Sequence, residues 1–378
     1  MTSRERVVAA INHREPDRVP VDFNPLLDFY LDLKSYLGVA IDETVRWNTA
    51  MEVIPHESLL ERLGIDLTSV KLATGRSGAK RARSDGLVED GWGVLRRQVR
   101  QAKGSYMETV HRPLAEATID DLERYPWPRC DAPGVGEETE REAKRLYEDT
   151  DLAIVGRFGG PIMETCIELI GFERWFMGLA AEPEFIDSLM RHVTDVCIEF
   201  DRVGIEAAAR YIQIFKVSGE DFGAQNGPLY SMEMFEKQLL PHISRRWEAA
   251  RVSLDTVSPA VKMMLHSCGS VRTYIPRFIE NGIDILDPVQ PLARDMNSAA
   301  LKTEFGDRIV FHGGVDIQHV MSHGTRQEVL DETRKRIRDY GPGGGYILTT
   351  SHNVQADVPP ENFMTMLEAV REWGCYPV

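Results

Sequence analysis

The chain has 378 residues, a formal net charge of -15 and a hydrophobic content of 43%, which is ordinary for a globular protein. An acidic protein repels nucleic-acid phosphates, and no apolar run approaches the roughly 20 residues of a membrane helix, so we expect it to bind neither nucleic acid nor membrane. Its N-terminus lacks the features of a signal peptide and its five cysteines are scattered, so a soluble, cytoplasmic protein without disulfides is expected.

The N-terminal part of the chain predicts two short strands separated by helices. A helix is expected over residues 3–13, a strand over Val19–Phe23, a helix over 42–63 and a strand over Ile65–Val70. Asp-Gly turn signals between short alternating runs then predict a small inserted β-meander over residues 79–111.

Beyond residue 150 the pattern becomes regular, and long helical patterns separate most of the predicted strands. The six strands predicted here are Leu152–Arg157, Tyr211–Lys216, Val261–His266, Ile283–Asp287, Ile309–His312 and Tyr346–Thr349. Eight strands alternating with helices predict an α/β fold, a (β/α)8 TIM barrel that takes up residues 1–378 as one domain. The first strand is not followed by GxGxxG, which argues against a dinucleotide-binding sheet.

Polar side chains follow several of these strands, and the strand ends of a barrel converge on one mouth where active sites lie. His266 and Cys268 stand two residues apart, so they share a face, and imidazole and thiolate are both zinc ligands. His352 and Glu220 are expected at the same mouth and complete the predicted metal-ligand set. The alternative is that His266 bonds to a backbone group and Cys268 is a packing residue.

Other polar residues at the strand ends are candidates for catalysis and substrate binding. Asp287 and Asp316, with Glu220, are candidate catalytic groups that act as acid or base or orient a ligand imidazole. Each of the two aspartates has an equally weighted alternative as a loop cap. His312 is predicted to form a local hydrogen bond rather than to bind metal. The candidate substrate-binding residues are Asp221, Asn226, Arg157 and Asn353.

Several motifs together resemble a known superfamily. They lie at Arg4–Asp22, Pro113–Pro128, Gly219–Pro228, His266–Val271 and Ser351–Asn362. The chain resembles the uroporphyrinogen decarboxylase superfamily, in particular its cobalamin-dependent methyltransferases, such as methylcobamide:coenzyme M methyltransferases and O-demethylation proteins. This resemblance implies a (β/α)8 barrel and a zinc held by His-x-Cys and a later cysteine.

Two departures bear on the reaction that the resemblance implies. His266 and Cys268 match the first two zinc ligands, but His352 stands where the later cysteine is expected. Uroporphyrinogen decarboxylases carry an arginine-rich segment of the form RQAGRY, whereas the corresponding stretch, residues 21–27, contains no arginine. Asp66 is a candidate counterpart of the essential aspartate of those decarboxylases.

Three functional hypotheses follow. The leading one is a zinc-dependent methyltransferase that moves a methyl group between a small methylated substrate or thiol and a corrinoid on a partner protein. The alternative is a metal-free decarboxylase of a carboxylated substrate, with Arg157, Lys216 and Arg294 as the cations that hold the carboxylates. The third is a barrel that docks a partner without turnover. A homodimer is left open by the sequence.

Overall fold

The computed structural model describes residues 1–41, 51–73, 81–101 and 103–378. The strands are, in chain order, β1 (Leu67–Lys71), β2 (Arg81–Ala82), β3 (Val88–Glu89), β4 (Leu95–Arg100), β5 (Ser105–His111), β6 (Ala153–Arg157), β7 (Ile214–Gly219), β8 (Gly223–Ala224), β9 (Gly227–Pro228), β10 (Lys262–His266), β11 (Ile285–Val289), β12 (Val310–Val315) and β13 (Tyr346–Thr350). The helices are α1 (Ser3–Ile11), α2 (Leu27–Tyr36), α3 (Glu57–Leu63), α4 (Ile119–Arg124), α5 (Val135–Asp149), α6 (Met163–Ile170), α7 (Phe172–Ala181), α8 (Pro183–Ala208), α9 (Met232–Met234), α10 (Leu240–Val257), α11 (Ile275–Glu280), α12 (Ser298–Phe305), α13 (Arg326–Tyr340) and α14 (Pro360–Trp373).

The central sheet of this α/β fold is parallel and curls like a TIM barrel. Its order is β1-β6-β7-β10-β11-β12-β13, so each strand pairs with the next parallel strand along the chain. Helices lie in the connections, as parallel pairing requires. Among the helices of the described ranges, none combines the length and the apolar character that crossing a bilayer demands.

The predicted first strand, Val19–Phe23, is extended but is not a regular strand. Val21 forms one parallel bridge to Leu348 of β13, whose N–H donates to the Pro20 carbonyl. Pro20 has no N–H to donate, and the Val21 N–H bonds to the Asp66 carboxylate at 2.8 Å. Pro20 and Val21 therefore donate no backbone hydrogen bond to a neighbouring strand. The sequence prediction of eight strands is wrong in this respect, because the sheet has seven strands in the described residues and is not a closed barrel.

The small antiparallel sheet between β1 and β6 is a meander. Its strands pair in the order β2-β3-β4-β5, within the stretch 79–111 that the sequence assigns to an insert. Residues 79 and 80 lie outside the described residues.

The helix predicted over residues 42–63 is much shorter in the structure. Only Glu57–Leu63 is helical, and residues 42–50 lie outside the described residues. Pro55 disfavours helical backbone at the residue before it. The His56 side chain accepts a hydrogen bond from the Ser58 N–H and so marks the start of the helix. The residues before this helix are not helical, and Glu52 forms an antiparallel bridge with Leu26.

An apolar layer fills the inside of the curled sheet, and it locates the site. Its members are Val7, Ile11, Leu67, Ala153, Val155, Ile214, Met264, Ile285, Val310 and Ile347. Val7 and Ile11 belong to α1, so this helix covers the N-terminal end of the sheet. Side chains two residues apart on a strand share a face. The inward side chains that follow the layer toward the carboxyl ends are Arg157, Lys216, His266, Asp287 and His312.

Asp66 lies at the other end of the sheet from these side chains. It is completely buried just before β1, and its carboxylate bonds to Arg6 and Arg18, each at 2.7 Å, and to the Ser3 hydroxyl at 2.8 Å. The carboxylate therefore ties the N-terminal segment to the sheet. The structure therefore does not bring Asp66 into the polar cluster, which lies at the opposite ends of the strands.

Candidate functional site

Three potential metal ligands from two strand ends meet at the mouth. His266 ends β10, Cys268 lies in the loop after it, and His352 follows β13. One ligand atom from each of the three lies within 4.8 Å of the others. The two imidazole rings meet edge to face, with centroids 5.8 Å apart. The structure therefore brings together three of the four residues that the sequence suggested as ligands.

The donor atoms of this group fit zinc. A tetrahedral zinc with bonds of about 2.0–2.3 Å holds its ligand atoms roughly 3.5 Å apart, and these three lie within 4.8 Å of one another, close to that spacing. His352 Nδ1 is buried and has no hydrogen-bond partner. Burial and the nearby His266 ring lower the pKa of His352, which keeps the imidazole neutral, the form that binds metal. Three protein ligands leave one position open, as in catalytic zinc sites.

Asp287 connects the ligand group to the inside of the sheet. Its Oδ2 lies 2.9 Å from His266 Nδ1 and 2.7 Å from Lys216 Nζ, and its Oδ1 lies 2.7 Å from His312 Nδ1. Burial opposes ionisation, but Lys216 and the two imidazoles outweigh it and hold the pKa of Asp287 well below its usual range. The contact orients His266 and leaves its Nε2 to face a ligand, an arrangement that carboxylates impose on metal-bound histidines.

His312 is held between two carboxylates. Its second ring nitrogen, Nε2, lies 2.9 Å from Asp22 Oδ2. Burial lowers the pKa of His312, but Asp287 and Asp22 outweigh it and raise the pKa to about 9. The imidazole is therefore charged at neutral pH. This confirms the prediction that His312 makes local hydrogen bonds.

The charge on His312 makes stability depend on pH. The pKa is about 9 in the folded protein, against 6.5 as the ordinary value, so the stabilisation is fully present below pH 6.5 and is lost as the pH rises through 9. We expect the free energy of unfolding, measured in urea, to fall by at most about 3 kcal/mol from this group between pH 6 and 10. A His312→Gln variant should lack this decline. An equal decline in both proteins would contradict the assignment.

Glu220 does not join the ligand group, in contrast to the prediction from the sequence. It is completely buried, and its oxygens accept hydrogen bonds from the N–H groups of Ile162 at 2.7 Å and Met163 at 2.8 Å. These are donors that the start of α6 would otherwise leave unsatisfied. Glu220 therefore stabilises the N-terminus of a helix, where a negative charge is favourable.

Asp221, the next residue, is the carboxylate that contacts the ligand group. Its Oδ1 lies 3.3 Å from the Cys268 N and 3.4 Å from Cys268 Sγ. Burial and Asp221 raise the pKa of the Cys268 thiol, so the thiol is protonated without a metal. Behind it, Glu164 accepts from the Asp221 N–H at 2.7 Å. Burial and the Glu220 charge raise the pKa of Glu164 well above its usual range.

Two further candidates lie away from the ligand group. Asp316 caps a π-helical turn, Ile317–Met321, and accepts from the N–H groups of Gln318 at 3.0 Å and Val320 at 3.2 Å. This is the capping role that the sequence left open for Asp316. Asn226 is exposed in the turn between β8 and β9. The structure therefore does not bring either residue into the ligand group.

Arg157 and Asn353, predicted separately as substrate-binding residues, meet at one carboxylate. Arg157 Nη2 lies 2.7 Å from Glu52 Oε2, and Asn353 Nδ2 lies 3.0 Å from Glu52 Oε1. Lys71 Nζ lies 3.9 Å from the same carboxylate. Glu52 was not among the residues predicted for the site, because its segment was assigned to a helix.

A small cleft with about 10 Å³ of accessible volume, roughly the room for one water molecule, lies beside this contact. Its lining residues are Asp22, Asn24, Ser69, Val155, Arg157, Lys216, Met264, Asp287 and His312. Charged groups of both signs thus meet next to the ligand group, and a molecule larger than water enters this space only if a side chain moves.

Known proteins resemble this chain in fold and in sequence. A methyltransferase from Methanosarcina mazei superposes with a TM-score of 0.64 over 98% of this chain and 99% of that chain, at 15% identity, which shows a shared fold. A uroporphyrinogen decarboxylase from Anaeromyxobacter dehalogenans is 24% identical over 278 residues, 72% of this chain and 73% of that protein.

Other relatives match over a shorter length. The uroporphyrinogen decarboxylase of Psychromonas ingrahamii is 22% identical over 191 residues, which are 50% of this chain and 49% of that protein. The chain thus spans about half the length of several curated relatives that it matches. The model of the family described as uroporphyrinogen decarboxylase matches residues 98–373, well over half of the sequence, so the chain belongs to the uroporphyrinogen decarboxylase family.

Proposed function

We propose that this protein is a zinc-dependent methyltransferase that moves a methyl group between a small methylated substrate or thiol and a corrinoid carried on a partner protein. The observation that carries the proposal is the convergence of His266, Cys268 and His352, whose ligand atoms lie within 4.8 Å of one another. The buried, unpartnered Nδ1 of His352 supports it, because an orphaned buried nitrogen is costly unless a ligand satisfies it. The shared fold with a methyltransferase is consistent with this reading.

The side chains of this site have separate roles in the proposal. Zinc would supply a Lewis acid that lowers the pKa of a thiol or polarises a methoxyl oxygen. Asp287 holds the His266 ring by its Nδ1, so that Nε2 is presented in a fixed direction. Asp221 Oδ1 lies 3.4 Å from Cys268 Sγ and would accept the thiol proton if Cys268 held a metal as its thiolate. The half-buried mouth limits access of water to these groups.

Metal analysis of the purified protein tests the ligand set. We expect about one zinc per chain in the wild-type protein, in line with a three-ligand site, and none in a His266→Ala/Cys268→Ser variant. Cys375→Ser is the matched control, since Cys375 is an exposed cysteine remote in sequence from the group, and it should keep its zinc. A folded wild-type protein without metal after purification in zinc-supplemented medium would overturn the proposal.

A metal-free decarboxylase is the second candidate, and the cleft favours it. Arg157 and Lys216 line the cleft and can hold a carboxylate, and the family is named for decarboxylation. This alternative predicts that the protein decarboxylates a substrate, with release of carbon dioxide, after zinc has been removed from the protein. Chelator treatment separates the two, because it should abolish methyl transfer and leave decarboxylation intact.

A further inference from the structure

Three cations stand side by side on neighbouring strand ends. The register of β1 and β6 pairs Lys71 with Arg157. The register of β6 and β7 pairs Gly156 with Phe215, which places Arg157 next to Lys216 on the following strand. We call Lys71, Arg157 and Lys216 the cation row. All three follow the apolar layer on the inner face, so their charges converge inside the mouth.

A carboxylate of the chain itself is bound at this row. Glu52 gives one oxygen to Arg157 and the other to Asn353, at 2.7 and 3.0 Å. Burial opposes its ionisation, but Arg157, Lys71 and Lys216 outweigh burial and lower the pKa of Glu52. An arginine fork and an amide donor that each take a different oxygen match the planar geometry of a carboxylate. The row is therefore a built carboxylate site.

The row is connected to the proposed metal-ligand group. Arg157 and Lys216 line the small cleft together with Ser69 and Asp287. Lys216 Nζ and His266 Nδ1 share one oxygen of Asp287, at 2.7 and 2.9 Å. A molecule whose anionic group replaces the Glu52 carboxylate at the row is thus bound next to the side chains that lead to the ligand group.

We propose that the cation row and Asn353 bind the carboxylate of a small methylated carboxylic acid, and that Glu52 holds this place until the substrate displaces it. The substrate carboxylate then takes over the hydrogen bonds that Glu52 makes, so the charge balance of the buried row is unchanged by the exchange. The inference rests on the proposed function for the methyl end of the molecule. The carboxylate end rests on the row alone.

Binding of a matched pair of probes tests this inference. Methoxyacetate and 2-methoxyethanol carry the same methoxyl group and differ in the carboxylate. We expect titration calorimetry on the full chain to show at least tenfold tighter binding of methoxyacetate. Glu52→Gln removes the competing carboxylate and should tighten methoxyacetate binding at least threefold, whereas Arg157→Gln should abolish the preference. Arg202→Gln, on the outer face of α8 and paired with Glu206, is the control and should behave as wild type.

The outcomes separate this inference from the proposed function. Equal affinities for the two probes in the wild-type protein, or no gain in Glu52→Gln, would overturn the carboxylate site even if zinc is bound and methyl transfer occurs. A clear preference for methoxyacetate in a protein that holds no zinc would leave the carboxylate site standing and remove the methyltransferase proposal. If Arg157→Gln does not fold, the presence or absence of tighter methoxyacetate binding in Glu52→Gln still tests the carboxylate site.

Discussion

A His352→Gln variant is expected to bind zinc at least 100-fold more weakly than the wild-type protein. The loss exceeds the 10–100-fold that accompanies removal of an outer-shell partner, because a ligand itself is removed. Glutamine keeps a polar side chain of similar length, so the change is directed at the imidazole. The buried, unpartnered Nδ1 of His352 is the structural reason to expect this effect.

The measurement is a competition titration against a colorimetric zinc chelator. His352→Cys should retain zinc within about tenfold of wild type, since thiolate is also a zinc ligand and is the residue that the family resemblance leads one to expect. His242→Gln is the matched control, because His242 bonds to Asp187 on outer helices and should not affect zinc. Unchanged affinity in His352→Gln would remove this residue from the ligand set.

An Asp287→Asn variant is expected to lose both stability and zinc affinity. The amide has the same shape but no charge, so Lys216 and His312 lose a buried counter-ion and His266 loses its orienting acceptor. Breaking a buried ion pair by removing one partner costs about 3–5 kcal/mol of unfolding free energy. Loss of the carboxylate behind a metal-bound histidine costs about 10–100-fold in metal affinity.

Urea denaturation at pH 7 and the same zinc titration measure the two effects of Asp287→Asn. Asp316→Asn is the control, because Asp316 caps a helical turn through backbone contacts. It should cost less than about 1 kcal/mol, because asparagine caps a helix about as well as aspartate, and it should leave zinc affinity unchanged. If the two variants lose equal amounts of zinc affinity, Asp287 does not orient the ligand.

Much of the site follows from strand periodicity that the sequence already shows. Parallel strands present their carboxyl ends at one edge, and residues two apart share a face. This reasoning was enough to place His266, Cys268 and His352 together, and the structure does so. It was also enough to assign the α/β class, although not the seven-stranded form of the sheet.

The sequence does not show that Asp221 rather than Glu220 contacts the ligand group, because this depends on an irregularity in the strand pairing. In the pairing of β7 with β10, Lys216 lies opposite Met264 and Ser218 lies opposite Leu265, so one residue of β7 is skipped. Such a bulge shifts the alternation of side chains by one residue. The odd-numbered Asp221 therefore contacts the ligand group, and Glu220 lies behind it.

Glu52 was missed for a different reason. Its segment has an amphipathic pattern that predicts a helix, and its hydrogen bonds with Arg157 and Asn353 join residues more than 100 positions apart. Local patterns carry no information about pairs so distant in sequence. The hydrogen bond between His312 and Asp22, which lie 290 positions apart, could not be predicted for the same reason.

The position of α1 has a consequence for the order of events in turnover. Because Val7 and Ile11 fill the N-terminal end of the apolar layer, the described part of the chain offers the ligand group to solvent from the mouth side. Under the proposed function, the small methylated substrate or thiol and the corrinoid-carrying protein would reach the ligand group through the same opening. They would have to bind one after the other, because each would block the opening while it is bound.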